Sequence, residues 1–385
     1  MLKCQRAEFS LPKTFHYLDN ATLGPLPKKT EEAGIKALLQ GRNPVNRTRD
    51  QFFEPVEQAR QSFGKLVHTQ SQNIAIIPSV SYGIATAAKN IQVDQGDQVL
   101  ILENQFPSNY FIWKDTCQRT GALLEVIEKP NATEFTSKSW SERIIDGITE
   151  KTKVVAMAQV HWTDGTLFDL LAISKKCKQY GTFLIIDATQ SVGALPFDIQ
   201  TIQPDALVVA SYKWLLGAYG LGFAYYSERL QGGSPLEVNW INKERSHEFE
   251  NLTNYESQYR PGAARYSMGQ QSSFVSISMA NASLDLINQW QPHAIQNYCR
   301  DICKAGFDQL RETGVGIEED ENRSFHITGI HLDNRWNINQ LQKKLIANNI
   351  KVSQRGEALR VSTNVYNDQE DINALVETIL SNKRN

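Results

Sequence analysis

At 385 residues the chain exceeds what a single hydrophobic core serves, so a large domain and a smaller one are expected. Its 40 Lys and Arg against 42 Asp and Glu leave a net charge of -2, too balanced for an electrostatic nucleic-acid binder, and no stretch is long enough and apolar enough to span a bilayer. The start MLKCQRAEFSLPKTF lacks an apolar leader and the five cysteines form no Cys-x-x-Cys pair, so the expectation is a cytoplasmic protein with reduced, structural thiols and no metal site.

The first 60 residues carry one helical pattern, PLPKKTEEAGIKALLQG, and read as a segment draped over both domains. From about residue 72 to 228 short apolar runs alternate with amphipathic stretches. The runs NIAIIP, DQVLIL, ALLEVI, KVVAMAQV, TFLIID, ALVVA and GFAYY predict an α/β domain with seven strands in one mostly parallel sheet. Helices are predicted in SYGIATAAKNI, PSNYFIWKDTCQRTG and LFDLLAISKKCKQYG, the last two closing on a Gly suited to a C-cap. From Gln231 to about Arg265 the chain turns polar and aperiodic, which reads as a lid or interface connection. Helical patterns resume in SSFVSISMANASLDLINQW and before GFDQLRETG. SFHITGIHLD, INQLQKKLIANN, IKVSQRG, ALRVSTNVY and DINALVETILSNK then complete a compact α+β unit. The expected division is 1–60 as the N-terminal segment, 61–265 as the large domain and 266–385 as the small C-terminal domain.

The chemistry concentrates on two of the runs. TFLIIDATQ reads as a buried strand delivering the carboxylate of Asp187 at its carboxyl end, and ALVVASYKW as a second strand ending on Ser211, Tyr212 and Lys213. Neighbouring strands of this kind bring Asp187 and Lys213 to the sheet edge where open α/β folds collect ligands. A carboxylate and an amine there suit pyridoxal phosphate, an electron sink only while its ring nitrogen stays protonated. Raising that nitrogen's pKa by two to three units takes roughly 3 to 4 kcal/mol. One carboxylate at contact distance supplies about that much at an effective dielectric near 20. Burial lowers the pKa of Lys213 toward a neutral nucleophile. GAYGLG, Gly217 to Gly222, follows Lys213 and precedes a strand, so it reads as a flexible turn and not as a nucleotide loop.

Taken in order, YLDNA, PSVSYGI, QFPSN, DATQ, SYK and LRVS resemble the motif set of the class V aminotransferase group of fold-type I pyridoxal phosphate enzymes, from Tyr17 to Asn367. That group includes cysteine desulfurases, selenocysteine lyases, kynureninases and isopenicillin-N epimerases. The resemblance implies that Lys213 forms the Schiff base, that Asp187 binds the pyridine nitrogen and that Gln190 hydrogen-bonds the phenolic oxygen. It implies a phosphate site at Val80, Ser81 and Tyr82, with Ser211 adding a second hydroxyl. A helix N-terminus there favours an anion, although a plain N-cap explains Ser81 equally well locally. Phe106 matches the ring-stacking position that desulfurases fill with histidine. A phenyl group stacks but cannot shuttle protons, and an aromatic at the start of a core helix also accounts for it. Tyr212 likewise stands where desulfurases carry histidine. Arg360 resembles the planar, bidentate grip on a substrate α-carboxylate, and Asn20 and Ala21 fall near the substrate. VHWTDGT brings His161 or Asp164 toward the cofactor's phenolic edge, a pair that a turn at Asp164-Gly165 explains as well. RYSMGQQS, around Gly269 and Gln270, resembles the segment that reaches the phosphate of a neighbouring subunit, which implies a homodimer.

The expected function is a pyridoxal phosphate enzyme acting on a small amino acid, most generically an aminotransferase. The alternative is a β-lyase of the selenocysteine lyase, desulfurase or kynureninase kind, or an epimerase. IKVSQRGEALR, the loop before Arg360, carries no cysteine, which disfavours a persulfide mechanism. A non-catalytic member of the group would not need Lys213, Asp187 and Arg360 together.

Overall fold

The computed structural model describes residues 2–130, 137–356 and 358–383. Its strands, in chain order, are β1 His16–Tyr17, β2 Ile74–Ile77, β3 Gln98–Leu102, β4 Leu123–Ile127, β5 Thr152–Ala158, β6 Phe183–Asp187, β7 Ala206–Ala210, β8 Gly222–Tyr226, β9 Ile327–His331, β10 Ile350–Lys351, β11 Ser353–Arg355 and β12 Ala358–Ser362. All seven apolar runs become strands of one sheet, ordered β2-β8-β7-β6-β5-β3-β4. Only β8 runs antiparallel to its neighbours, β2 and β7. The remaining pairs are parallel, as crossovers through helices require.

Burial on both faces explains why these segments are runs and not alternations. Leu100, Val155, Ile186 and Leu207 pack on one face against Phe63, Leu284 and Ile287. Ile101, Ala156, Ile185 and Val208 pack on the other against Ile84, Ala87 and Trp113. Adjacent residues thus serve opposite cores, the period of two that a strand dictates. The two predicted glycine caps are present: helices Pro107–Thr120 and Leu170–Tyr180 end on Gly121 and Gly181 at φ 76° and 68°.

A third core gathers Phe307, Leu310, Ile330, Val361, Leu375 and Ile379 beneath the antiparallel sheet β11-β12-β9. The helix Phe274–Trp290 belongs to the first of the sheet's cores through Ile277, Leu284 and Ile287. The N-terminal segment touches both parts. β1 pairs with β10, Leu18 enters the third core, and the Gly24 N–H donates to the Tyr212 carbonyl at 2.9 Å. Residues 231–265 hold turns, the short 3-10 helix Phe249–Asn251, the start of a second at Gly262–Tyr266, and the single bridge Lys243–Tyr259 among those described. Among the described residues no helix is long and apolar enough to cross a membrane.

Candidate active site

β6 and β7 lie side by side with Asp187 paired to Val208, so the carboxyl ends of both strands open at one edge. There a cavity of about 260 Å³ is lined by Asp187, Gln190, Lys213, Phe106, Val80 and Ser81, six of the residues singled out in the sequence. Asp187 is buried, and its Oδ1 accepts the Thr189 N–H at 3.0 Å. Burial raises its pKa above the ordinary carboxylate value, against the opposing pull of the Thr189 hydrogen bonds and of the Lys213 charge. No side-chain cation among the described residues is within ion-pairing distance of it. Lys213 is also buried, with Nζ 5.4 Å from the Phe106 ring centroid and 5.6 Å from that of Tyr212. Burial, helped by Arg360 and Arg355, lowers its pKa to about 8 although Asp187 pulls the other way.

On the far wall, helix Val80–Asn90 begins. Its cap is Ser79, whose Oγ accepts the Tyr82 N–H, and Ser81 is the second residue of the first turn, with its Oγ 2.9 Å from that of Ser79. The capping role considered for Ser81 therefore falls to Ser79. The amides of Val80 and Ser81 have no acceptor within the helix and are free to meet an anion. Neither Tyr82 nor Ser211, both expected at the phosphate, lines the cavity: the Tyr82 hydroxyl is buried elsewhere, and Ser211, on the opposite side of the chain from Ala210 and Tyr212, is fully buried. Gly217 leaves room for the Ser211 Oγ, since a Cβ there would approach it to 2.1 Å.

Gln190 is fixed from both ends of its amide. Nε2 donates to the Ala21 carbonyl at 3.0 Å, and Oε1 accepts from the Trp214 indole at 2.8 Å. One amide N–H is left for the cavity. Asn20 is buried behind the lysine, with its amide 3.4 Å from the Lys213 carbonyl and its Oδ1 accepting from Tyr366 and Asn364. Arg360 is almost fully buried. It donates to the Trp162 carbonyl at 2.9 Å and the Thr22 hydroxyl at 2.7 Å, and it pairs with Asp19 at 3.4 Å, while its Nε has no partner.

Other expected positions fall elsewhere. His161 is buried beside Trp140 and hydrogen-bonds Thr163, and the cavity wall at this loop is its neighbour Trp162, edge-on to Phe106 at 5.5 Å. Asp164 anchors the loop. Against the cost of its burial, His161 and then Lys129, the latter at 2.5 Å, hold its carboxyl well below the usual range. Gly269 and Gln270 lie beside edge strand β2, where Met268 N–H donates to Ile76, and do not line the cavity. Sequence reasoning missed Thr189, Trp162 and Tyr219 as wall residues. It also read GAYGLG only as a turn, whereas Tyr219 and Gly220 form part of the wall.

A buried acid, a buried amine of lowered pKa and a helix N-terminus facing one cavity at a sheet's carboxyl edge define a cofactor enzyme of the doubly wound type. The aminotransferase class-V family model matches residues 16–375, and the chain belongs to that family. It is 26% identical to the uncharacterized aminotransferase YcbU of Bacillus subtilis over 266 residues, 69% of this chain and 67% of that one. It is 21% identical to isopenicillin N epimerase of Streptomyces clavuligerus, over 61% and 59% of the two chains. In fold it resembles the Escherichia coli cysteine desulfurase CsdA (TM-score 0.82, 18% identity, 98% and 96% covered). It also resembles a C-DES variant whose structure holds glycine covalently linked to the PLP cofactor (TM-score 0.86, 18% identity, 97% and 98% covered). The expected family and the seven-stranded, mostly parallel fold are both met. An Asp187 buried without an ion pair among the described residues, facing the same cavity as the amino end of helix Val80–Asn90, fits a cationic-ring cofactor carrying a phosphate.

Proposed function

We propose that this chain is a pyridoxal phosphate enzyme acting on the amino group of a small amino acid, and specifically an aminotransferase. The observation that carries this reading is the placement of Asp187 and Lys213 on one cavity with the amino end of helix Val80–Asn90 across from them. When bound, the cofactor withdraws electrons from the substrate's α-carbon. Asp187 would accept the pyridine N–H, and Thr189 fixes the carboxylate's rotation through its own N–H. The Val80 and Ser81 amides with the Ser81 hydroxyl would take the phosphate. Phe106 would cover the ring face and Gln190 would hold the phenolic oxygen with its remaining N–H.

Lys213 Nζ, neutral in useful proportion because its pKa is near 8, would take the proton from the substrate's Cα and hold it for return two atoms along, on the far side of the amino nitrogen. His161 is screened from the cavity by Trp162, and Tyr212, raised in pKa by burial, holds its proton, so the lysine acts alone. Arg360 holds the α-carboxylate, with Asn20 and Ala21 fixing the wall behind. Four of the five cysteines are buried and none lines the cavity, which supports a reaction without a persulfide.

A homodimer is part of this reading. Val238 and Tyr255 in the 231–265 connection are 74% and 95% exposed, and Ile35, Leu38 and Leu39 line an exposed face of helix Lys28–Gln40, apolar surface that a second copy would cover. Gly269 and Gln270 would then reach the partner's phosphate. Incubation of the cofactor-loaded protein with amino acid panels tests the reaction type. Keto acid formation coupled to an amino acceptor supports transamination; alanine with sulfide, or the other enantiomer, would replace it with elimination or epimerisation.

A further inference from the structure

The carboxylate grip proposed for Arg360 is doubled by a second arginine. Strands β11 and β12 form an antiparallel hairpin with Ser353 opposite Arg360 and Arg355 opposite Ala358. Both guanidinium groups reach the same oxygen, the Thr22 hydroxyl, Arg360 at 2.7 Å and Arg355 at 3.2 Å. Their terminal nitrogens are therefore no farther apart than those two lengths laid end to end. That hydroxyl donates to Asp19 at 2.8 Å, so its one proton and two lone pairs are all used. Arg355 also extends over the ring of Trp162, a cavity wall residue, at 5.8 Å.

Neither arginine lines the cavity itself, and behind its wall residue Trp162 their charges do not balance. Asp19 is the one carboxylate paired to either arginine among the described residues. It touches Arg360 alone and is already occupied by Thr22 and Ser353. Among the described residues Arg355 donates only to the Gln354 carbonyl and to Thr22, and the Arg360 Nε is buried without an acceptor. Two neighbouring guanidinium groups repel each other, and Arg355 accordingly helps to lower Arg360 to about 10, second to burial. With Asp19 already on Arg360, Arg355 is the guanidinium without a carboxylate among the described residues, and it stands over the wall residue Trp162, where a second acidic group on a ligand would meet it.

We infer that the substrate is an amino acid bearing a second acidic group, its α-carboxylate on Arg360 and its distal acid on Arg355. The inference rests on the proposed cofactor chemistry for where the amino group lies. It goes further in assigning Arg355 as the residue that selects the side chain.

Non-reacting probes test it on the cofactor-loaded protein: succinate, with two carboxylates, against butyrate, with one. Binding is read by calorimetry and by perturbation of the visible absorption band. The expected result is succinate bound at least about tenfold more tightly than butyrate, with the difference falling at high salt. Arg355→Gln should bring succinate to the butyrate level and leave butyrate within about twofold. Arg360→Gln should weaken both. Arg355→Lys, which keeps the charge and loses the fork, should fall between, and serves if the glutamine variant folds poorly. Equal binding of the two probes by the unmodified protein overturns the inference while leaving the cofactor reading intact, as does a loss in Arg355→Gln shared equally by both. A protein that takes up no pyridoxal phosphate overturns both together.

Discussion

Gly24 lies against the backbone of Lys213 so closely that a Cβ at position 24 would come within 2.2 Å of the Lys213 carbonyl oxygen. The N-terminal segment is thereby pressed onto the loop that carries the amine, with Asp19 and Thr22 held a few residues away beneath Arg360. Gly24→Ala should push the segment off and cost about 1–3 kcal/mol. The measurement is a thermal melt with a pyridoxal phosphate titration, both of which should worsen. An unchanged melt would mean the contact yields without cost.

Asp187→Asn separates the two consequences of a buried acid. An acid whose folded pKa is raised keeps a proton that the unfolded chain has lost, so its burial costs stability increasingly as pH climbs through the folded value. The cofactor-free variant should therefore melt higher than its parent at pH 7. Its affinity for pyridoxal phosphate should fall at least about tenfold, because the ring nitrogen loses its anion.

For Lys213 the sign is opposite. With about 8 in the folded state against 10.5 unfolded, the native protein releases this proton first, so stability of the cofactor-free form rises from pH 8 toward 10.5. Lys213→Met should flatten that rise. Cofactor capture, which needs the neutral amine, should speed up through about pH 8 and then level.

His326 is a buried support of the site that lies far away in sequence. Its Nε2 donates to the Gln190 carbonyl at 2.7 Å, Nδ1 accepts from Gln296 at 2.7 Å, and its ring stands edge-on to Trp214 at 4.4 Å. Burial lowers its pKa to about 4. Between pH 6.5 and 4 the unfolded chain binds a proton that the native chain refuses, so stability falls across that window by about 3 kcal/mol. Acid denaturation of His326→Gln should lose this component, even if the variant starts less stable.

The sheet was legible because every strand but the edge strand β4 is largely buried on both faces and so is written as an apolar run, such as FLIID and ALVVA. Asp187 and Lys213 were legible because each follows such a run at the ligand-collecting edge. What escaped depends on contacts between distant segments. Nothing local in YLDNATLGP says that Gly24 must admit the carbonyl of a residue 189 positions later. Ser79 and Ser81 are two residues apart and equally suited to cap a helix, so only the backbone decides between them. In VHWTDGT, the deep packing of His161 on Trp140 turns Trp162 to the cavity, a choice that the other side of the protein makes. His326 gave no signal at all, since a satisfied core histidine reads as any other.

The central claim is a covalent link between pyridoxal phosphate and one particular amine. Borohydride reduction of the yellow, cofactor-loaded protein, followed by proteolysis and mass spectrometry, tests it directly. The reduced cofactor should be found on the peptide containing Lys213 and should be missing from Lys213→Ala. An adduct confined to another lysine, or no adduct from a protein that is fully folded, would contradict it.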